Sequence, residues 1–222
     1  MAFDINKFLT PTKYKWFRKE LSGKKFRLLD VGCTNKSSLL AKFWFPECEY
    51  HGVDLTDAHI TQDEKAMIDR FYQANLETSD LSEIPDGAYD VIIVAHVIEH
   101  LTNSLEVLGR LTRKLAKGGR IYIEFPSVRS LALPSAKVTL NFCDDPTHVR
   151  VYDLRDVANV LLANELKIIR GGRRREWVRI FIFPITIPLQ ITNLLKEGRL
   201  HGLGMWDLMG FADFVYARKS EA

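Results

Sequence analysis

The chain has 222 residues, with 31 lysines and arginines against 28 acidic residues, a formal charge of +3. That length suits one α/β domain, and 46% hydrophobic with 27% charged residues is ordinary globular usage. Disordered, collagen-like and low-complexity chains are excluded, and so is a polytopic membrane protein. The longest apolar stretch, 180–195, falls short of the roughly 20 residues a spanning helix needs and is interrupted by Pro184 and Pro188.

The N-terminus, Met1 to Asn6, lacks the basic-then-apolar pattern of a secretory leader. Cys33, Cys48 and Cys143 are odd in number and form no C-x-x-C pair, so a reducing, cytoplasmic setting is expected. Residues 12–22 read as an N-terminal helix outside the core. Strands are expected at 26–32, 50–55, 72–76, 89–96, 120–126, 166–170 and 211–218. The run Tyr89 to Ala95 is apolar and β-branched on both faces, as a buried parallel strand should be. A helix should start at Thr102 or Asn103, with Glu106 completing a cap. Leu101, Leu105, Leu108, Leu111 and Leu115 share one face of it, and Gly118-Gly119 should end it. A second helix opens at Asp153 and carries Leu154, Val157 and Leu161. This alternation predicts a parallel sheet covered by helices on both faces. Two insertions break the rhythm, 127–150 and 177–210. The first leaves a strand end where ligands enter open sheets, which makes it the expected substrate lid.

Four stretches carry the chemistry. Asp30-Val31-Gly32-Cys33-Thr34-Asn35-Lys36 runs from strand through a tight turn into a helix, whose first N–H groups are free. Asp54, followed by Leu55, ends a strand 24 residues after Asp30, where a carboxylate can accept both hydrogens of a ribose diol. Asn75-Leu76 ends the third strand, and Ala95-His96 the fourth, followed by Val97-Ile98-Glu99-His100-Leu101. Gly32, Thr34 and Ser37 stand where a nicotinamide fold would want three glycines, so a pyrophosphate turn is poorly supported.

In order and spacing, these stretches resemble the class I S-adenosylmethionine-dependent methyltransferases from about Phe26 to Lys219. The V-I-E-H-L and K-G-G segments are similar to a subgroup of small-molecule, lipid-quinone and glycan-pathway enzymes. The resemblance implies a single methyltransferase domain over 1–222, with a Rossmann-like, doubly wound sheet of about seven strands, mostly parallel with an antiparallel last strand. It implies S-adenosylmethionine as cofactor, held by Asp30, Gly32, Cys33, Thr34, Asn35, Asp54, Leu55, Asn75, Leu76, Ala95 and His96. The chain departs from the family's G-x-G-x-G. Thr34 is expected to strain a positive φ there, while Asn35 tolerates left-handed geometry.

Asn141 to Tyr152 brings two acids, a histidine, an arginine and a tyrosine to the expected rim of the site. His148 and Tyr152 are the candidate catalytic residues, His148 as a base acting on the acceptor. The alternative is that Asp144, His148 and Arg150 pin the lid to the core. Asp144, His148 and His51 lack metal-ligand spacing, and no metal is expected. His100 reads as a packed histidine or a cap.

Charge is uneven. Lys13, Lys15, Arg18, Lys19, Lys24, Lys25 and Arg27 oppose only Glu20, while Arg170, Arg173, Arg174, Arg175 and Arg179 oppose only Glu176. These are either solvated surface or a face for an acidic partner, such as a phosphorylated small-molecule acceptor or an anionic membrane. Nucleic acid is the weakest of these partners, because no aromatic platform accompanies the charge. The apolar run 180–191 is expected to pack on the core or form a homodimer face, with peripheral membrane contact as a third reading. A non-catalytic binding module on the same fold is the rival to an enzyme.

Overall fold

The computed structural model describes residues 9–34, 36–135, 140–197 and 204–221. Its strands are β1 (Phe26–Val31), β2 (Cys48–Asp54), β3 (Arg70–Gln73), β4 (Tyr89–Ala95), β5 (Leu115–Pro126), β6 (Leu166–Arg173) and β7 (Ala212–Lys219). They form one sheet in the order β3-β2-β1-β4-β5-β7-β6. The first five pair in parallel, and β7 runs antiparallel to both β5 and β6. The expected doubly wound, mostly parallel sheet of seven strands is therefore the observed one.

Helices cover both faces. α4 (Ser104–Lys114) and α5 (Leu154–Ala163) bury Val107, Leu108, Leu111, Val157 and Leu161 against one side of the sheet. α5 starts as expected, because Asp153 and Asp156 form a reciprocal capping box. α1 (Thr12–Leu21) and α2 (Ser37–Trp44) cover the other side. The expectation that the first helix lies outside the core is corrected here. Tyr14 and Phe17 are fully buried, and Phe17 stacks on Phe45 at 5.3 Å. Each such aromatic contributes roughly 1.5–3 kcal/mol by its burial.

Three local expectations also change. The cap of α4 is not the Asn103–Glu106 box. Thr102 donates its N–H and hydroxyl to Glu77, and the Asn103 amide donates to Glu77 O. The helix stops at Lys114, because Leu115 already pairs with Tyr89 and begins β5. Gly118-Gly119 then serves an irregularity in the β4–β5 ladder. A Cβ on Gly119 would stand 2.8 Å from the carbonyls of Ala116 and Tyr89.

The second insertion folds as α6 (Trp177–Glu197), which contains Pro184 and Pro188, and α7 (Met205–Met209). Among the described side chains of 180–191, none is fully buried. Phe181 is 75% exposed and Ile185 81%. Among the described residues no helix is long and apolar enough to cross a membrane.

Candidate active site

The sheet order reverses between β1 and β4, the point where ligands enter such folds. A cleft of about 620 Å³ opens there at the strand ends. Asp30, Gly32, Thr34, Asp54, Leu55, Asn75, Leu76, Ala95 and His96 all line it. Asn35 lies outside the described residues. Cys33 does not line the cleft. Its side chain is buried with its sulfur against Gly52, and burial, reinforced by Asp30 and Asp54, pushes the thiol up to about 12.

The turn after β1 is built on Gly32, whose φ is +75° and whose Cβ position would lie 2.5 Å from Val97 Cγ2. The conformation and the close approach both call for glycine. Gly32→Ala is expected to lower stability by about 1–3 kcal/mol. Urea denaturation reads this directly, and an unshifted midpoint would mean that the turn relaxes at no cost.

The strain expected at Thr34 is absent. Among the described residues of the turn, the non-glycine one at positive φ is Lys36, at 63°. Its N–H donates to the carboxylate of Glu64, a buried residue from α3 (Gln62–Lys65). Burial alone would raise the Glu64 pKa, but bonds from Thr61 and Lys36 outweigh it and hold the group below its ordinary value. An anion of the chain itself thus stands at the N-terminal turn of α2, where a dinucleotide fold takes pyrophosphate.

Among the described residues the Asp54 carboxylate accepts only a long bond, from the Thr56 N–H at 3.5 Å, and so keeps hydrogen-bonding capacity toward the cleft. Asp30 is more constrained, accepting from Tyr50 Oη at 2.8 Å and facing Lys13 Nζ at 3.6 Å. Apart from His96 and His100, the lining carries three carboxylates (Asp30, Asp54, Glu77) and one ammonium (Lys13). This balance suits a cationic ligand better than a polyphosphate.

His96 sits at the end of β4 with φ +56°. Its Nδ1 lies 3.1 Å from Glu99 and its Nε2 3.0 Å from Glu124. Desolvation pulls its pKa down, but the hydrogen bonds and charges of Glu124 and Glu99 prevail and raise it to about 9. Burial would raise the Glu124 pKa, yet Arg174 and His96 hold it at about 2. Arg174 also reaches Asp207 at 3.4 Å and lies over the ring of Trp206, which lines the cleft.

These shifts fix a pH dependence. The Glu124 contribution is present above about pH 4.5 and is lost as pH falls toward 2. The His96 contribution is present below about 6.5 and is lost as pH rises toward 9. Urea midpoints should therefore fall between pH 6.5 and 9, and His96→Gln should flatten that decline. An equal slope in the variant would remove His96 from the account.

The two catalytic candidates are placed differently from expectation. Tyr152 is 1% exposed in the core under α4, bonded to Ser104 and to Leu101 O, because the chain turns inward to begin α5. The His148 side chain is 8% exposed and does not line the cleft. Its Nδ1 donates to Phe142 O at 2.8 Å, and its ring lies 4.8 Å from that of His100. It is His100, read as a packed residue, that reaches the cleft. The described part of the first insertion is likewise absent from the lining. It docks on Glu99 through the N–H groups of Val149 and Arg150. The second insertion supplies the wall instead, through Trp206.

Sequence reasoning passed over Lys13, Ser37, Glu77, His100 and Trp206 as lining residues. Two signals could have found some of them. His100 stands four residues from His96, and Trp206 lies in a short helix bracketed by Gly204 and Gly210 at positive φ.

Comparisons with known proteins agree with this geometry. The family model for the methyltransferase domain matches residues 7–170. A solved S-adenosylmethionine-dependent methyltransferase from Archaeoglobus fulgidus is 21% identical, with 96% of this chain and 94% of that one covered and a TM-score of 0.57. One from Mesorhizobium loti is 12% identical, covering 94% and 98%, with a TM-score of 0.64. A phosphoethanolamine N-methyltransferase of Haemonchus contortus, solved with phosphomonomethylethanolamine and S-adenosylhomocysteine, is 15% identical, covering 92% and 51%, with a TM-score of 0.62. No curated protein matches the chain. The chain belongs to the methyltransferase-domain family, and its fold is that of the S-adenosylmethionine-dependent methyltransferases.

Proposed function

We propose that this protein transfers the methyl group of S-adenosylmethionine to a small-molecule acceptor of a glycan or lipid pathway. The observation that carries the reading is the cleft at the β1–β4 reversal, with Gly32 cradling it and Asp54 unsaturated at its edge. When bound, the cofactor supplies a methyl made electrophilic by its sulfonium. The chain's own residues bind, orient and exclude water. Asp54 is the ribose acceptor, Gly32 allows close approach of the backbone, and Leu55, Asn75 and Leu76 border the adenine. Ala95 and His96 border the methionine part. His96, cationic at neutral pH, cannot take a proton from the acceptor and acts by charge and position. His100, on the same wall, replaces His148 as the imidazole within reach of an acceptor.

The test is to incubate the full chain with methyl-labelled donor and pools of hydroxylated, amino and phosphorylated small molecules. Labelled product together with S-adenosylhomocysteine is expected from at least one pool. Donor left intact in every pool would favour the non-catalytic binding module. A second reading, contact of α6 with another copy or a membrane surface, is supported by the exposure of Trp177, Phe181 and Ile185. Light scattering and sedimentation with anionic vesicles, compared between native chain and Phe181→Ser, test it.

A further inference from the structure

We propose that Glu99, His100 and His148 form a binding site for a divalent transition-metal ion at the edge of the cleft. Their three ligating atoms lie within 4.8 Å of one another. Ligands about 2.0–2.2 Å from a tetrahedral ion stand roughly 3.3–3.6 Å apart, so a closure of about 1 Å completes the set.

The local bonding prepares each residue for that role. His148 Nδ1–H donates to Phe142 O at 2.8 Å. His100 Nδ1–H donates to Thr147, whose carbonyl lies at 3.2 Å and whose Oγ1 lies at 2.9 Å. The Thr147 hydroxyl is itself spent on Asp145 Oδ1, which leaves Oγ1 to accept. In their neutral forms both imidazoles then keep an Nε2 lone pair available to a metal, and the Nε2 of His148 also faces Asp145 Oδ2 at 3.8 Å. A backbone carbonyl on the far nitrogen is the usual support of a ligating histidine.

Glu99 supplies the independent observation. It is 1% exposed, its Oε1 faces His96, and its Oε2 has no partner among the described residues. A buried carboxylate oxygen left without a partner is costly, and a cation would satisfy it. Docking of Val149 and Arg150 on Glu99 O holds the His148 segment against the β4 end. Proximity in the fold thus assembles what sequence spacing did not suggest. Asp144, His148 and His51 are not gathered, since His51, on β2, is bonded to Glu49 of its own strand and to Tyr89 of β4.

Two nitrogen donors and one carboxylate select a first-row ion such as Zn²⁺ or Mn²⁺ over the oxygen-seeking Mg²⁺ or Ca²⁺. Three protein ligands leave a coordination position open. Because His100 also lines the cleft, that position suits an oxygen of the acceptor, whose hydroxyl a Lewis acid would make more acidic. This last step rests on the methyltransferase reading. Metal binding itself does not.

Isothermal titration of the full chain with ZnCl₂ and with MnCl₂, without methyl donor, should show one ion per chain. Loss of an outer-shell partner weakens metal sites by about 10–100-fold, so His148→Gln, which removes a ligand, should weaken binding by more than about 100-fold. His100→Gln should do the same, while His59→Gln, on the surface, should leave it unchanged. Far-ultraviolet circular dichroism monitors the fold of each variant, and parallel titration of the native chain with S-adenosylhomocysteine keeps failure here separate from failure of the donor site. Should a variant not fold, Co²⁺ added to the native chain should give the visible absorption bands of a low-coordinate imidazole site. Binding that survives both substitutions would overturn the proposal. So would the absence of binding by all three ions.

Discussion

Arg174→Ala should destabilise the protein by about 3–5 kcal/mol, the range found when one partner of a buried ion pair is removed. Arg174 stands between Glu124, at 3.2 Å, and Asp207, at 3.4 Å, whose side chains are 7% and 0% exposed. Without it, two carboxylates remain in a poorly hydrated space, one of them held at about 2 in large part by this guanidinium. The loss should also reach the cleft, because Arg174 underlies Trp206 and Asp207 anchors α7 by accepting the Glu176 N–H. Urea denaturation at pH 7 measures the effect. The double variant Arg174→Met with Glu124→Gln should recover part of it, since fewer charges are left unpaired. A single variant within about 1 kcal/mol of the native chain would show that water reaches these groups.

Asp54→Ala should weaken the methyl-donor ligand by roughly 1.5–3 kcal/mol, the worth of hydrogen bonds to a charged acceptor. That corresponds to about 10–150-fold in dissociation constant. Stability should hardly change, because the carboxylate makes one long bond among the described residues and is half-exposed. Binding and stability therefore separate at this position, whereas at Arg174 they fall together. Asp54→Asn, which keeps one acceptor oxygen, should fall between. Equal affinity of the native chain and Asp54→Ala for S-adenosylhomocysteine would remove Asp54 from the cofactor site.

What the sequence made legible was set by local physics. Hydrophobic runs located the sheet, and Asp30, Gly32, Asp54 and His96 lie at strand ends because chain order in a doubly wound fold dictates it. The failures share a cause. Tyr152 and His148 carry suitable chemistry in a polar loop, but a fixed helix start at Asp153 turns the first into the core. A carbonyl of the same loop captures the other. The family's glycine pattern predicts strain at Thr34, whereas among the described residues of the turn the left-handed non-glycine position is Lys36, held by Glu64, 28 residues away. Glu124, Arg174 and Asp207 meet only through tertiary packing, and nothing in their spacing announces it. The K-G-G segment looked like a helix stop and proved to be a ladder irregularity, because glycine marks both.

The cleft at the β1–β4 reversal is expected to take S-adenosylmethionine and not a nicotinamide dinucleotide. Calorimetric titration of the full chain with S-adenosylhomocysteine, and separately with NAD, tests it most directly. Saturation at one S-adenosylhomocysteine per chain is predicted, weakened by Asp54→Ala, with no saturable heat from NAD. Absence of S-adenosylhomocysteine binding, or tighter binding of NAD, would contradict the account.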